Sequence, residues 1–211
     1  GCTVTDQRTN ALNNDLVMSF TEEPVICEGT SSSPLPLQSN ANSYLWWPSG
    51  GLSSTTVKNP IANPVITTKY YVKGTKGICI LTDSIIVNVN PAPIPNAGPD
   101  KTICFGGNTT LDGSGGTQFN WRPVTYLDNV HAGTPNLINP IDNKTYYLEV
   151  IDANGCISLF EDTVKLSVTP AVKLFAGYDT VAAMGQPVQL YAYEVGNSGV
   201  IRYTWEPSTG L

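Results

Sequence analysis

The stretch Phe119-Asn120-Trp121-Arg122-Pro123 alternates aromatic and polar side chains and then reaches a proline. Successive side chains of an extended strand point to opposite faces, so this alternation is typical of a strand with one buried face. Tryptophan is large enough to fill the space between two sheets, and proline ends a strand because it has no N–H to donate. The stretch therefore predicts a β-strand with Trp121 in the core and Pro123 at its end.

The same aromatic-x-Trp-x-Pro motif occurs in two other places. It reads Tyr44-Leu45-Trp46-Trp47-Pro48 before this copy and Tyr203-Thr204-Trp205-Glu206-Pro207 after it. A Tyr-Tyr-aliphatic segment also recurs, as Tyr70-Tyr71-Val72 and Tyr146-Tyr147-Leu148. Motifs that recur at a fixed period are the signature of an array of small modules. The chain is therefore predicted to contain parts of three copies of one β-module that carry this motif.

The cysteines follow the same period. Cys27 and Cys79 are 52 residues apart, as are Cys104 and Cys156, and the second pair lies 77 residues after the first. This spacing predicts two disulfides within modules, Cys27–Cys79 and Cys104–Cys156. Each would stabilise its module by roughly 4 kcal/mol through the entropy of closing a loop of about 50 residues. Cys2 falls where the second cysteine of an earlier module belongs, so it is expected to be unpaired within this chain.

The repeats predict four segments. Residues 1–18 would be the C-terminal remnant of an upstream module, residues 19–91 and 92–170 two complete modules, and residues 171–211 the N-terminal half of another. This last module is expected to lack the disulfide, because alignment places Ala183 where the first cysteine would stand. Half a sandwich would leave backbone groups unpaired, so we expect the polypeptide to continue past Leu211 or to be completed by another chain.

Composition predicts an all-β chain of tandem Ig-like antiparallel β-sandwich modules. The 211 residues include 19 glycines and 16 prolines, and only 13% are charged, which suits short strands joined by tight turns. Residues 112–116 and 152–155 are predicted to be hairpin tips, because Asp, Asn and Gly tolerate turn conformations. Small disulfide-stapled modules are typical of oxidising compartments, so an extracellular location is expected.

Charge and hydropathy argue against two classes of partner. The net charge is −6, and no basic cluster is present to neutralise phosphates, so nucleic acid is not an expected partner. No apolar run reaches the length of about 18 residues that a membrane helix needs. Neither a membrane span nor a signal peptide is expected within this stretch.

The segment 96–114, NAGPDKTICFGGNTTLDGS, resembles the opening of PKD domains, which are Ig-like β-sandwiches. The tryptophan motif, the Tyr-Tyr-aliphatic strand, the Asn-Gly-Cys turn and the Asp-Thr-Val strand opening are similar to PKD-like repeats of large secreted Bacteroidetes surface proteins, such as gliding-motility adhesins of the SprB type. This resemblance implies type IX secretion to the exterior of the bacterial outer membrane. It also implies a role as stalk or spacer, with adhesion or gliding motility, and no catalytic chemistry.

The sequence predicts no catalytic residue, no enzyme activity and no cofactor. His131 is the single histidine, and the carboxylate pairs Glu22-Glu23 and Glu161-Asp162 are strand or loop neighbours that would point to opposite sides. Calcium is the metal to consider, since loop carboxylates suit a hard cation. The alternative is that these carboxylates cap backbone amides in turns. The calcium candidates are Asp100, Asp112, Asp152 and Asp179.

Trp47 and three hydroxyl residues are the remaining candidate sites. If Trp46 is buried, Trp47 should lie on the outer face and be able to contact a ligand or a neighbouring module. Ser84, Thr163 and Thr180 each follow an aspartate and precede an aliphatic residue. That pattern resembles the O-glycosylation acceptor of Bacteroidetes, and the alternative is that these are ordinary strand starts.

Three functions remain open from the sequence. The first is a non-catalytic repeat region of a secreted adhesin, with neighbouring modules, surface glycans or other cell-surface proteins as partners. The second is a glycan-binding module, which predicts exposed aromatic side chains in a shallow groove. The third is an accessory region of a secreted hydrolase whose catalytic domain lies elsewhere. Exposure of the tryptophans separates the first two.

Overall fold

The computed structural model describes residues 16–195 and 202–207. All the regular elements in these residues are β-strands, so the all-β prediction is confirmed. The chain forms two compact units. Unit 1 contains Gly1–Pro95, Gly115–Gln118 and Glu149–Glu161, and unit 2 contains Asn96–Ser114, Phe119–Leu148 and Asp162–Leu211.

Unit 1 is built from two sheets. The larger sheet has the order β2-β6-β5-β4, and the smaller pairs β1 with β3. Most neighbours are antiparallel, as predicted, but β2 runs parallel to β6. The strands are β1 (Met18–Phe20), β2 (Val25–Cys27), β3 (Leu37–Ser39), β4 (Ser43–Trp47), β5 (Thr68–Lys76) and β6 (Cys79–Asn90).

The core of unit 1 lies between these two sheets, which makes it a sandwich. Along β5, burial alternates: Tyr70 and Val72 are fully buried, whereas Tyr71 between them is exposed. Trp46 of the larger sheet and Phe20 of the smaller one have ring centroids 6.1 Å apart. The buried cluster contains Ile26, Leu35, Leu37, Trp46, Ala62, Tyr70, Val72, Ile85 and Val87.

The second four-stranded sheet has the order β7-β12-β11-β9, and β8 pairs with β10. It repeats the pairing of unit 1, with β7 parallel to β12 and β12 antiparallel to β11. A short pair, β13 with β14, follows. The strands are β7 (Lys101–Cys104), β8 (Thr109–Thr110), β9 (Gln118–Arg122), β10 (Asn136–Leu137), β11 (Lys144–Ile151), β12 (Asp162–Thr169), β13 (Leu174–Phe175) and β14 (Tyr193–Glu194).

The tryptophan motif has the same structure in its first two copies. Trp46 and Trp121 are each 1% exposed, so the predicted core positions are confirmed. Each indole Nε1 donates a hydrogen bond to a carbonyl 11 residues later, at 2.9 Å for Trp46 and 3.0 Å for Trp121. The strands end at Trp47 and Arg122, directly before the motif proline, as predicted.

One of the two predicted hairpin tips is correct. Residues 152–155 form a turn in which Gly155 has a φ of 80°. Residues 112–116 do not form a hairpin tip, because the strands on either side, β8 and β9, belong to different sheets. The Asp-Gly-rich sequence here makes a connection between sheets, which requires a change of direction but no pairing of the flanking strands.

The repeat boundaries taken from the sequence stay predictions. The compact units divide the chain differently, since residues 149–161 belong by sequence to the second repeat and by structure to unit 1. Most of the predicted remnant at 1–18 lies outside the described residues. Of the half-module at 171–211, the structure describes residues 171–195 and 202–207, including β13 and β14.

Candidate functional site

The feature that distinguishes this chain is a long-range disulfide between Cys27 and Cys156. The two residues are 129 positions apart in sequence, and their Cα atoms are 5.4 Å apart. Both belong to unit 1, Cys27 at the end of β2 and Cys156 directly after the turn at residues 152–155. The bond therefore joins a cysteine of the first sequence repeat to a cysteine of the second.

This pairing shows that the predicted disulfides Cys27–Cys79 and Cys104–Cys156 are wrong. Cys79 is in a disulfide bond, but not with Cys27, and Cys104 has an exposed free thiol. The prediction that Cys27, Cys79 and Cys156 form disulfides holds, whereas their assignment to partners within one repeat does not. The expectation for Cys2 lies outside the described residues.

The register of the larger sheet in unit 1 explains why Cys27 and Cys79 do not pair. The parallel pairing of β2 with β6 places Cys27 beside Asn90, the last residue of β6. Cys79 is the first residue of β6, so it lies about 36 Å away at ~3.3 Å per residue. A disulfide requires Cα atoms within about 7 Å of each other. The two cysteines of the first repeat are thus at opposite ends of one long strand.

The turn that carries Cys156 is held by one carboxylate. Asp152 Oδ1 accepts hydrogen bonds from the backbone N–H groups of Cys156 and Asn154, both at 2.8 Å. The N–H of Cys156 is the main reason why the pKa of Asp152 lies below its usual value. Donors that favour the charged form of a carboxylate lower its pKa in this way. Asp152 therefore positions the cysteine that forms the disulfide.

Trp47 lies on the outer face of unit 1, as predicted. It is 40% exposed, and its ring stacks on that of Tyr71, with centroids 5.6 Å apart and an angle of 13° between planes. The ammonium group of Lys69 lies 5.4 Å from the centroid of the Tyr71 ring. Flat, exposed aromatic rings with a cation beside them form a surface suited to sugars or other rings. The sequence argument missed Tyr71 and Lys69, although strand alternation places both on the face opposite Tyr70.

Two of the candidate glycosylation residues lie beside tyrosines of the outer faces. The register pairs Ser84 with Tyr71 in the first repeat and Thr163 with Tyr147 in the second. Ser84 is half-buried, whereas Thr163 is exposed, as is Thr180 in the third segment. Attachment of a glycan to these hydroxyls stays a prediction.

Three of the four calcium candidates have local hydrogen-bonding roles. Asp100 accepts from the N–H of Lys165 at 2.8 Å, Asp112 forms an ion pair with Lys101 at 2.5 Å, and Asp152 caps the turn at residues 152–155. Asp179 is exposed. Within residues 16–195 and 202–207, no group of three or more His, Cys, Asp or Glu side chains is arranged to hold a metal ion.

The residues that could take part in catalysis are dispersed. His131 is exposed, and its Nδ1 lies 3.0 Å from the carbonyl oxygen of Phe119. Glu22 and Glu23 border a cleft of about 350 Å³ in unit 1, together with serines and prolines of residues 31–36. Asp162 accepts a hydrogen bond from the N–H of Ala97 at 2.8 Å. In the described part of the chain, no helix is long and apolar enough to cross a membrane.

Comparison with known proteins agrees with the observed architecture. Residues 91–170 match the family model of the Ig-like domain, CHU_C associated. No curated protein matches the chain.

Solved structures similar to this chain include three fragments with several extracellular or Ig domains. Extracellular domains 3-5 of Drosophila OTK are 14% identical, with a TM-score of 0.36 over 72% of this chain and 62% of that chain. The insect immune protein hemolin is 13% identical, with a TM-score of 0.38 over 76% and 48%. The N-terminal eight Ig domains of DSCAM are 15% identical, with a TM-score of 0.38 over 86% and 32%. The aligned region thus spans less than two thirds of each of these fragments.

The family match and the sheet architecture lead to one conclusion about fold. The match covers 91–170, which is the part of the chain that contains the strands from β7 to β12. Residues 91–170 are an Ig-like repeat, and the protein is an all-β chain with an Ig-like β-sandwich fold.

Proposed function

We propose that this chain is a non-catalytic repeat region of a large secreted cell-surface adhesin, in which it acts as a stalk or spacer. The observation that supports this most directly is the Cys27–Cys156 disulfide, which joins successive sequence repeats covalently. Disulfides persist in oxidising environments outside the cell, where such a link would be maintained. A spacer needs length and mechanical continuity, and it needs no reactive site.

The disulfide limits how far the chain can be stretched. When a chain is pulled from its ends, force passes through the shortest covalent path, so residues enclosed by a disulfide do not extend. Cys27 and Cys156 enclose a segment of 129 residues. At ~3.5 Å per extended residue, this segment is about 450 Å long. Even if the enclosed strands unfolded, most of the length of the chain would be withheld.

The proline-containing segment at 91–95 also supports a spacer. Its sequence, Pro91-Ala92-Pro93-Ile94-Pro95, restricts φ at three positions and favours an extended backbone. The N–H of Ala92 donates a hydrogen bond to Glu28 Oε2 at 3.1 Å, so the segment is attached to unit 1 near Cys27. A restricted and anchored segment transmits force better than a flexible one.

A non-catalytic role fits the chemistry of the described side chains. General acid–base catalysis needs a proton donor and acceptor directed at one reacting centre. The titratable side chains in question have local partners instead: His131 contacts a backbone carbonyl, and Asp152 and Asp162 bind backbone amides. These contacts stabilise loops and strand starts.

Force spectroscopy of single molecules tests the spacer proposal. The background should carry Cys79→Ser and Cys104→Ser, so that the Cys27–Cys156 bond alone is sensed. We expect the fully stretched length to increase by about 450 Å when Cys27→Ser and Cys156→Ser are added, since the enclosed residues then extend. A change below about 100 Å, less than a quarter of that estimate, would refute the mechanical role. Restoring both cysteines is the matched control.

Location and adhesion require a second experiment on intact cells of the source organism. An antibody against residues 92–170 should bind intact cells as strongly as lysed ones, and deletion of the repeats should reduce adhesion to surfaces. Gliding motility, if present, should fall in the same deletion strain. Antibody binding that appears only after lysis would contradict the cell-surface proposal.

Glycan binding is the second candidate, and the stacked pair of Trp47 and Tyr71 favours it. Two exposed rings beside the Lys69 ammonium resemble a platform on which a sugar could lie. Screening against immobilised glycans should identify ligands, and Trp47→Ala should reduce binding at least tenfold. Leu45→Ala, on the same strand and 45% exposed, is the control that should leave binding unchanged. Equal loss in both variants would exclude this platform.

A further inference from the structure

We infer that Cys104 forms a disulfide bond with the cysteine of a further repeat that corresponds to Cys156. The inference extends the observed Cys27–Cys156 bond to the next position of the array. We call Cys27 and Cys104 the strand-end cysteines, because each ends the first strand of its four-stranded sheet. We call Cys79 and Cys156 the hairpin cysteines, because each directly follows a turn between two strands.

The two strand-end cysteines have the same place in their sheets. Cys27 is the last residue of β2 and is paired in parallel with Asn90, the last residue of β6. Cys104 is the last residue of β7 and is paired in parallel with Thr169, the last residue of β12. The same strand, the same direction and the same end of the sheet are thus involved.

The turns that follow these cysteines are also the same. The second residue after each cysteine is a glycine with positive φ, 80° at Gly29 and 69° at Gly106. Only glycine adopts this conformation without steric cost, so the turn is specified in both repeats. The corresponding hydrogen bonds are Glu28 N to Asn90 O at 2.8 Å and Phe105 N to Thr169 O at 3.0 Å, then Thr30 N to Cys27 O at 3.0 Å and Gly107 N to Cys104 O at 2.9 Å.

What differs is the surroundings of the two turns. A Cβ at Gly29 would lie 2.8 Å from Leu159, a residue three positions after the hairpin cysteine Cys156. A Cβ at Gly106 would have no described atom within 4 Å. Cys104 is exposed with a free thiol, and the neighbouring Phe105 is 49% exposed. The second repeat thus presents the surface that, in the first repeat, lies against a hairpin.

The partner of Cys104 is specified by the partner of Cys27. That partner is a cysteine after an Asn-Gly turn, whose N–H is bound by Asp152 and which is followed by exposed apolar residues such as Leu159. Cys79 and Cys156, the two hairpin cysteines in the described part of the chain, are already in disulfides. The thiol that joins Cys104 therefore belongs to a further repeat, either in the same polypeptide or in a second copy.

The bond forms by an oxidation that needs a partner disulfide. The two thiols lose two protons and two electrons as their sulfur atoms join, and a disulfide of a thiol oxidoreductase accepts them to become a dithiol. The exchange passes through a mixed disulfide, which the second thiolate then displaces. An exposed strand-end cysteine is accessible to both reactants.

Alkylation mapping tests the inference on the polypeptide as it occurs in its source. Free thiols are blocked with N-ethylmaleimide before unfolding, and the digest is analysed without reduction. We expect Cys104 to be labelled at least tenfold less than in a sample reduced first. Its peptide should be linked to a peptide containing a Gly-Cys hairpin. The 211-residue chain alone is the matched control, in which Cys104 should be fully labelled.

Three outcomes decide the question. A linked peptide that migrates with the monomer on a non-reducing denaturing gel supports a repeat in the same polypeptide, whereas a ladder that collapses on reduction supports a second copy. Full labelling of Cys104 in the source polypeptide, or a bond from Cys104 to Cys156, would overturn the inference. The result is independent of the surface experiments, so the link and the adhesin role can fail separately.

Discussion

Removing the Cys27–Cys156 disulfide should strongly destabilise unit 1. The variant is Cys27→Ser with Cys156→Ser, which leaves no new free thiol. The bond closes a loop of 129 residues. By the chain-entropy relation, it lowers the free energy of folding by about 5 kcal/mol, and the logarithmic dependence makes this value insensitive to the loop length. Since a domain is stable by only about 5–15 kcal/mol, the loss should be a large share of the total.

Hydrogen exchange measured by mass spectrometry can resolve this effect along the chain. Amides in β5 and β6, at the centre of unit 1, should exchange about three orders of magnitude faster in the variant, since every 1.4 kcal/mol is a factor of ten. Cys104→Ser removes a free thiol and no bond in this chain, so it should leave exchange unchanged. A loss of less than about 1 kcal/mol would show that closing the loop contributes little, against the chain-entropy estimate.

Three further predictions concern the core and its ionisation. Trp46→Ala should cost about 3–5 kcal/mol, because the side chain is 1% exposed, whereas Trp47→Ala should cost less than about 1 kcal/mol; urea denaturation of both variants checks the contrast. Gly113→Ala should cost about 1–3 kcal/mol, because its Cβ would lie 2.7 Å from the ring of Trp121, while Gly50→Ala, with nothing within 4 Å, should be neutral in the same assay. Burial raises the pKa of Tyr146 from 10.0 to about 12. The unfolded phenol ionises first, so this stabilisation is complete below pH 10 and is lost as the pH rises towards 12; Tyr146→Phe should remove that part of the alkaline loss of stability, and an unchanged pH profile would contradict the assignment.

Much of the fold follows from local pattern. Alternation around Trp46 and Trp121 predicted a buried ring inside and Trp47 outside, and the structure places all three accordingly. This succeeds because a strand allows only two faces, so one buried residue determines the orientation of its neighbours. The stacking partner Tyr71 depends on strand register, which the sequence does not state directly, although alternation alone would have placed it outside.

The disulfide partners show where local pattern fails. Separations of 52 residues within a repeat and 129 residues across repeats both recur with the same 77-residue period, so the spacing is compatible with either pairing. The choice depends on the parallel pairing of β2 with the far end of β6, which separates Cys27 from Cys79 by the length of that strand. Parallel pairing between distant segments is a tertiary property, and no short motif specifies it.

The sequence by itself determined that this protein is an array of stapled β-modules: the period of the tryptophan motif and of the cysteines follows from covalent order alone. Only the tertiary structure decided which cysteines meet, because a disulfide depends on Cα atoms within about 7 Å and not on separation along the chain. That decision changed the meaning of the staple. In place of a bond that closes each module, the structure has a bond from one repeat to the next, with Cys104 exposed at the equivalent position.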